Sequence, residues 1–208
     1  MIRTLKATGL ALVAILALGV MAASASAAEF HSEAATTTID STQTTANKFV
    51  TGAGTVECST ANYSGTQTGA TAKSVTVTPS YSGCSAFGFA NTHVEVTGCT
   101  MTLFADTSST LQCGATGHIV ITPTFFGSVC TVTIGGHQSF GKGSVEYTNI
   151  AGPPKDIRVH QKVTGIAYSV TKSGCGQAVG SYTDGTLSGT QTVVCTQPAN
   201  VQINCWWE

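Results

Sequence analysis

Hydrophobic and polar residues alternate with a period of two over most of this chain. In the segment SVTVTP, Val75 and Val77 lie on one face while Thr76 and Thr78 lie on the other. This alternation is typical of half-buried β-strands, and β-branched residues suit a pleated sheet. Beyond the N-terminal region, the apolar residues do not follow the spacing of an amphipathic helix. The pattern therefore predicts an all-β protein.

One alternating phrase occurs twice. Residues Val75–Cys84 read VTVTPSYSGC, and residues Ile119–Cys130 read IVITPTFFGSVC. Because proline cannot donate to a β-ladder, Pro79 and Pro123 are each expected at a strand end or a sheet edge. The aromatic residue, glycine and cysteine that follow are expected to plug the core, turn the chain and pin it to a neighbour. The two copies favour two similar halves of one antiparallel β-sandwich, with two small domains as the alternative.

Two glycines change the phase of the alternation. The inward-facing positions change from even to odd numbers at Gly98, and from odd to even numbers at Gly165. One extra residue reverses the facing of every later side chain, as a β-bulge does. The alternative is that each glycine ends a strand and the chain turns. Both arrangements predict long strands that are bulged or bent, as in a curled sandwich.

The N-terminal region has the features of a secretory signal peptide. Arg3 and Lys6 precede the apolar run Gly9–Ala23, and small residues up to Ala27 provide a cleavage site. The run is too short for a typical membrane span. We expect residues 1–27 to be removed, which leaves no transmembrane anchor in the exported product.

The segment after the predicted cleavage site is poor in large apolar residues. Residues 28–48 consist mainly of Ala, Thr and Ser. This composition predicts a flexible N-terminal tail or a loosely held first strand. The β-sandwich domain is expected to span residues 49–208.

Charge is scarce throughout the chain. Charged residues make up 9% of the sequence, against about 25% in an average soluble domain. Without Arg3 and Lys6, seven basic residues face ten acidic ones, so the mature net charge is −3. A nucleic-acid partner is not expected, because it would require a basic face. Serine and threonine must cover most of the surface.

The eight cysteines all follow the predicted cleavage site. An even number in an exported chain predicts disulfides, whereas zinc sites require closer cysteine pairs than any found here. Spacing alone does not choose among the possible connectivities, and we expect sequential pairing. The expected pairs are Cys58–Cys84, Cys99–Cys113, Cys130–Cys175 and Cys195–Cys205.

Sequence motifs for catalysis are missing. The chain contains no GxSxG, HExxH, P-loop or GxGxxG motif, and we expect no cofactor and no metal site. Glu57, Glu95 and Glu146 occupy outward strand positions. Two carboxylates on one concave sheet could hydrolyse a glycoside, although solvated glutamates on strands explain the same pattern.

The C-terminal segment offers a candidate binding surface. Trp206 shares a face with Gln202 and Asn204, whereas Trp207 is in phase with the inward-facing Cys205. An exposed aromatic ring flanked by amides could stack on a sugar. The alternative is that the tryptophan covers the edge of the core.

Several segments resemble a known group of proteins. The order CSTANYSGT, VTVTPSYSGCSAFGF, VEVTGCTM, CTVTI, VEYTN and VTGIAYSV is similar to a family of secreted, cysteine-paired, β-rich bacterial proteins. The resemblance covers the chain from Phe49 to about Gly189. It implies export and a β architecture, but no assigned activity and no catalytic residues.

These observations together favour a secreted or cell-surface protein without catalytic activity. Its expected role is structural or adhesive, with cell-envelope polysaccharide or another surface protein as the partner. A carbohydrate-binding module that uses Trp206 is the alternative, followed by a small glycoside hydrolase.

Overall fold

The computed structural model describes residues 27–123, 130–172, 174 and 176–208. Within these residues the chain forms fourteen β-strands and no α-helix, which confirms the all-β prediction. The strands are β1 Phe30–Ser32, β2 Thr36–Thr51, β3 Gly54–Thr68, β4 Thr71–Ala72, β5 Ser74–Ala86, β6 Phe89–Phe104, β7 Ser109–Pro123, β8 Thr131–Gly135, β9 His137–Phe140, β10 Val145–Ile150, β11 Asp156–Lys172, β12 Gly180–Gln197, β13 Val201–Ile203 and β14 Cys205–Trp207.

Eight of these strands form a closed antiparallel ring. The order is β11-β8-β7-β6-β5-β3-β2-β12, and β12 pairs back onto β11. A sheet closed in this way is a β-barrel, in which every strand is paired on both sides. The barrel replaces the expected β-sandwich with two similar halves. The physical reason is that bulged, strongly curved strands bring the two ends of one sheet together.

Both glycines at which the alternation changes phase are bulges. The β6–β7 register shifts at Gly98 and the β11–β12 register shifts at Gly165, and both strands continue beyond the shift. Their φ angles are 58° and 77°, in the left-handed region that favours glycine. The prediction of long, bulged strands is therefore confirmed.

The two copies of the repeated phrase lie on β5 and β7, on either side of β6. Pro123 is the last residue of β7, as predicted, whereas Pro79 lies inside β5 opposite Tyr63 of β3. The β5–β6 ladder has no residue pair at Pro79, so the proline removes no ladder bond on that side. The rest of the second copy, residues 124–129, lies outside the described residues.

The expected flexible tail, residues 28–48, is instead part of the sheet structure. β1 pairs with β14 and β4, and β2 pairs with both β3 and β12 of the ring. Phe30, Thr37 and Ile39 are buried. Local hydrophobicity underestimates the tendency of this segment to form a strand, because threonines supply much of the outward face and many of the contacts come from the distant strand β12. The predicted signal peptide, residues 1–27, lies outside the described residues except for its last residue.

A small sheet closes one end of the barrel. β1, β4 and β14 form this sheet, which brings Phe30, Tyr147 and Trp207 together. The ring centroids are 5.0 Å apart for Phe30 and Tyr147, and 5.6 Å apart for Tyr147 and Trp207. Trp207 Nε1 donates a hydrogen bond of 2.9 Å to the carbonyl oxygen of Ala105. Trp207 thus packs against the core, as its phase predicts.

Three of the four expected disulfides are present in the described residues. They are Cys58–Cys84, Cys99–Cys113 and Cys195–Cys205. The first two join neighbouring strands of the ring, and the third ties the small end sheet to β12. Cys130 is disulfide-bonded, but Cys175 of the expected fourth pair lies outside the described residues. Each disulfide is expected to stabilise the fold by about 2–4 kcal/mol.

Close packing inside the ring requires glycine at position 185. A Cβ added to Gly185 would lie 2.8 Å from the carbonyl oxygen of Ile166 and 2.9 Å from Phe49 Cε2. Gly141 has no atom within 4 Å of the same position. We predict that Gly185→Ala lowers the free energy of unfolding by about 1–3 kcal/mol through overpacking. Urea unfolding measures the loss, with Gly141→Ala as the matched control; equal stability of the two variants would contradict this packing.

Candidate binding cavity inside the barrel

The barrel interior contains a cavity of about 70 Å³. It lies towards the end of the barrel opposite the small sheet. Its walls are almost entirely apolar, with one amide and one phenol group. The lining residues are Asn47, Phe49, Val56, Cys58, Pro79, Tyr81, Val94, Met101, Leu111, Ile119, Ile121, Ile134, Phe140, Val163, Ile166 and Leu187.

The cavity adjoins a part of the barrel wall where β5 and β6 are not paired. Between the pairs Val77↔Met101 and Cys84↔Thr92, the β5–β6 ladder has no residue pair. Pro79 and Tyr81 of β5 and Val94 of β6 belong to these unpaired stretches and also line the cavity. The β5–β6 ladder therefore contributes no paired residues to this part of the wall.

A buried polar cluster lies between this cavity and the small sheet. Its members are Ser41, Asn47, Tyr63, Gln161 and Gln191, each at most 5% exposed. Ser41 Oγ donates to Gln191 Oε1 at 2.6 Å and accepts from the backbone N–H of Tyr63 at 2.9 Å. Gln191 Nε2 has no hydrogen-bond partner among the described residues. The cluster therefore fills the middle of the barrel with hydrogen-bonded side chains that are not all satisfied.

The same cluster separates two apolar compartments. On β11, Gln161 lies between Val159 and Val163, which line different cavities. The second cavity has a volume of about 40 Å³ and is bounded by the aromatic residues of the small end sheet. Because a polar layer divides the interior, only the larger cavity adjoins the unpaired stretches of β5 and β6.

The Tyr63 hydroxyl connects the polar cluster to the larger cavity. It lies 3.1 Å from the Tyr81 hydroxyl, 3.2 Å from Gln161 Oε1 and 3.4 Å from Asn47 Oδ1. Tyr81 and Asn47 line the cavity, and the two tyrosine rings meet edge to face with centroids 6.2 Å apart. The polar end of the cavity is thus a hydroxyl–amide group on an otherwise apolar wall.

Burial shifts the ionisation of both tyrosines. Burial raises the pKa of Tyr63. Burial and the neighbouring Tyr63 together raise the pKa of Tyr81 well above its usual value. Both hydroxyl groups therefore keep their protons at neutral pH and can donate hydrogen bonds.

The C-terminal residues predicted as a binding surface make internal contacts at the small end sheet. Trp206 stacks on His31, with ring centroids 5.1 Å apart, and the Nζ atom of Lys155 lies 5.7 Å from the Trp206 ring centroid. Gln202 Nε2 donates to Asp156 Oδ1 at 3.3 Å.

Asn204 is also held by its neighbours. Its Oδ1 atom accepts from the backbone N–H of Lys155 at 2.6 Å, and its own backbone N–H donates to Glu33 Oε2 at 3.1 Å. The side-chain amide of Asn204 also donates to Glu33 Oε1, and this hydrogen bond, together with the backbone one, lowers the pKa of Glu33. Sugar binding by Trp206, Gln202 and Asn204 stays a prediction.

The three candidate glutamates lie on different strands. Glu57 is on β3, Glu95 on β6 and Glu146 on β10. β5 lies between the first two strands, and β10 lies outside the ring. A hydrogen bond from Lys162 at 2.8 Å lowers the pKa of Glu146, whereas a general acid in glycoside hydrolysis requires a raised pKa. The arrangement does not bring the carboxylates into a pair.

The described residues offer no candidate metal site. Across the described part of the chain, no group of three or more His, Cys, Asp or Glu residues is placed to hold a metal ion. The same residues contain no helix that is long and apolar enough to cross a membrane.

No family model, curated protein or solved structure matches this chain. The resemblance to secreted, cysteine-paired proteins stays a prediction.

Sequence analysis missed the interior site, although one signal was present. Gln161 occupies the inward phase of β11 between Val159 and Val163. A polar residue at an inward position indicates a buried hydrogen-bond network. Asn47 and Gln191 also occupy the odd-numbered inward phase of β2 and β12, but the mostly polar residues around them made this signal weaker.

We predict that stability falls as the pH rises above about 10, the usual tyrosine pKa. The unfolded chain then loses tyrosine protons that the folded chain keeps, so alkali favours unfolding. Below that pH the contribution is fully present. Tyr81→Phe should show a smaller decrease in the urea midpoint between pH 9 and pH 11 than the unchanged protein. An equal decrease in both proteins would contradict the burial of this hydroxyl.

Proposed function

We propose that this protein is a secreted, non-catalytic binding protein that holds one small apolar molecule inside the barrel. The larger cavity is the observation that supports this proposal. Protein interiors are close-packed and contain few voids larger than a water molecule. A volume of about 70 Å³ is several times the roughly 10–15 Å³ that one water requires.

The chemistry of the walls selects the class of ligand. Of the sixteen lining residues, only Asn47 and Tyr81 carry a polar side-chain group. Water needs two to four polar partners, so apolar cavities stay dry and accept apolar molecules. Eight-stranded barrels are wide enough to hold one small ligand. Walls of this kind suit a small apolar molecule.

The absence of ionisable groups around the cavity favours binding over catalysis. Apart from the Tyr81 phenol, the described lining residues carry no group that could act as an acid, a base or a nucleophile. The outward glutamates lie on separate strands with partners of their own. A non-catalytic role is therefore the one that this interior supports best.

An extracellular location agrees with the way the fold is stabilised. Three disulfides in the described residues are typical of proteins from oxidising compartments. The outward strand positions carry mainly threonine and serine, which suit contact with water. Structural or adhesive work by this outer face is the second role proposed, and it requires no occupant in the cavity.

We predict that toluene binds the purified protein and raises its melting temperature. At ten times the dissociation constant, binding adds about 1.4 kcal/mol, or about 3–6 °C for a domain of this size. Val94→Phe should abolish the increase because the larger side chain fills the cavity. Differential scanning calorimetry, with and without toluene, measures the effect.

Val96→Phe is the matched control. Val96 lies two residues away on the same strand, is also half-buried, and does not line the cavity. This variant should keep the response to toluene. Unchanged melting of the wild-type protein at saturating toluene would contradict the proposed function.

A further inference from the structure

We infer that the cavity selects a ligand with an apolar body and one hydroxyl group, bound with that hydroxyl between Tyr81 and Asn47. This inference rests on the proposed function and names the ligand class of the same site. A small phenol or a small cyclic alcohol has this chemistry.

The polar end of the cavity has fewer hydrogen-bond donors than acceptors. The Tyr63 hydroxyl has one proton, but two buried amide oxygens lie within reach, at 3.2 Å on Gln161 and 3.4 Å on Asn47. No other donor to either oxygen exists among the described residues. One of the two oxygens is therefore left without a donor, which is costly for a buried polar group.

Only one of these two amide residues borders the ligand site: Asn47 lines the cavity, whereas Gln161 does not. The contact from Tyr63 to Asn47 is also the longer of the two. If Tyr63 donates to Gln161, the Asn47 Oδ1 atom is left free to accept a hydrogen bond from a molecule in the cavity.

The Tyr81 hydroxyl is a donor next to that acceptor. Tyr81 lines the cavity, and within the described residues its hydroxyl is hydrogen-bonded only to the Tyr63 hydroxyl. When Tyr63 donates to Gln161, the Tyr63 oxygen can still accept the proton of the Tyr81 hydroxyl. Alternatively, Tyr81 can direct that proton into the cavity. A ligand hydroxyl would then accept from Tyr81 and donate to Asn47, which gives the Asn47 Oδ1 atom the donor that the chain does not supply.

The surroundings exclude a charged head group. Burying a charge without a partner of opposite sign is costly, and the described cavity walls contain no charged residue. A ketone can accept from Tyr81 but cannot donate to Asn47. A hydroxyl group is the smallest group that does both.

Two molecules of nearly equal shape test the inference. p-Cresol and p-xylene differ by a hydroxyl in place of a methyl group. Isothermal titration calorimetry should give a dissociation constant for p-cresol about 10-fold lower than for p-xylene, the effect of about one net hydrogen bond. Tyr81→Phe should remove this preference, so that the two dissociation constants become equal.

Tyr182→Phe is the control for loss of a tyrosine hydroxyl elsewhere. The Tyr182 hydroxyl donates to the carbonyl oxygen of Ala178 at the surface, so this variant should keep the 10-fold preference. If Tyr81→Phe does not fold, the ratio measured on the wild-type protein decides the question.

The possible outcomes are distinct. Equal affinities for the two molecules would overturn the inference and leave the proposed function standing; a water molecule on Asn47 would give this result. Failure of both molecules to bind would overturn both proposals.

Discussion

Closure of the β-ladder is the constraint on which the rest of this structure depends. In an open sheet the first and last strands leave rows of N–H and C=O groups unpaired. Here β12 pairs with β2 on one side and with β11 on the other, while β8 connects β11 to β7. These long-range pairings enclose an interior that neither face of an open sheet would have. The disulfides join neighbours within this ring and tie the end sheet to it.

Closure also explains why the interior is layered. Inward side chains from eight strands must fill a cylinder, and bulges at Gly98 and Gly165 adjust which residues point inward. Aromatic residues fill the end next to the small sheet, and a hydrogen-bonded cluster around Tyr63 fills the middle. The remaining end is filled less completely, which leaves the larger cavity. That cavity adjoins the unpaired stretches of β5 and β6.

The alternation at Val75 and Val77 was sufficient to predict strands, because the period of two is a local property. The bulge at Gly98 was predictable for the same reason, as were the three observed disulfides from sequential pairing. Ring closure was not, because it depends on pairs such as Phe49↔Leu187 that no local pattern specifies. The threonine-rich segment before Phe49 was misjudged because its burial depends on β12, a strand distant in sequence, as well as on the adjacent β3. The cavity site was not predicted because the polar, threonine-rich sequence around Asn47 does not mark its inward position, although Asn47 is in phase with Phe49.

The most direct test of the account is the set of backbone NOEs between strands that only closure brings together. A closed barrel predicts contacts along β2–β12, including Ile39 with Cys195, and along β8–β11, including Val132 with Val170. All eight ladders of the ring should be present in the same sample. Loss of two opposite ladders, with contacts only between sheet faces, would instead identify two open sheets packed as a sandwich and would contradict the closed barrel and its interior site.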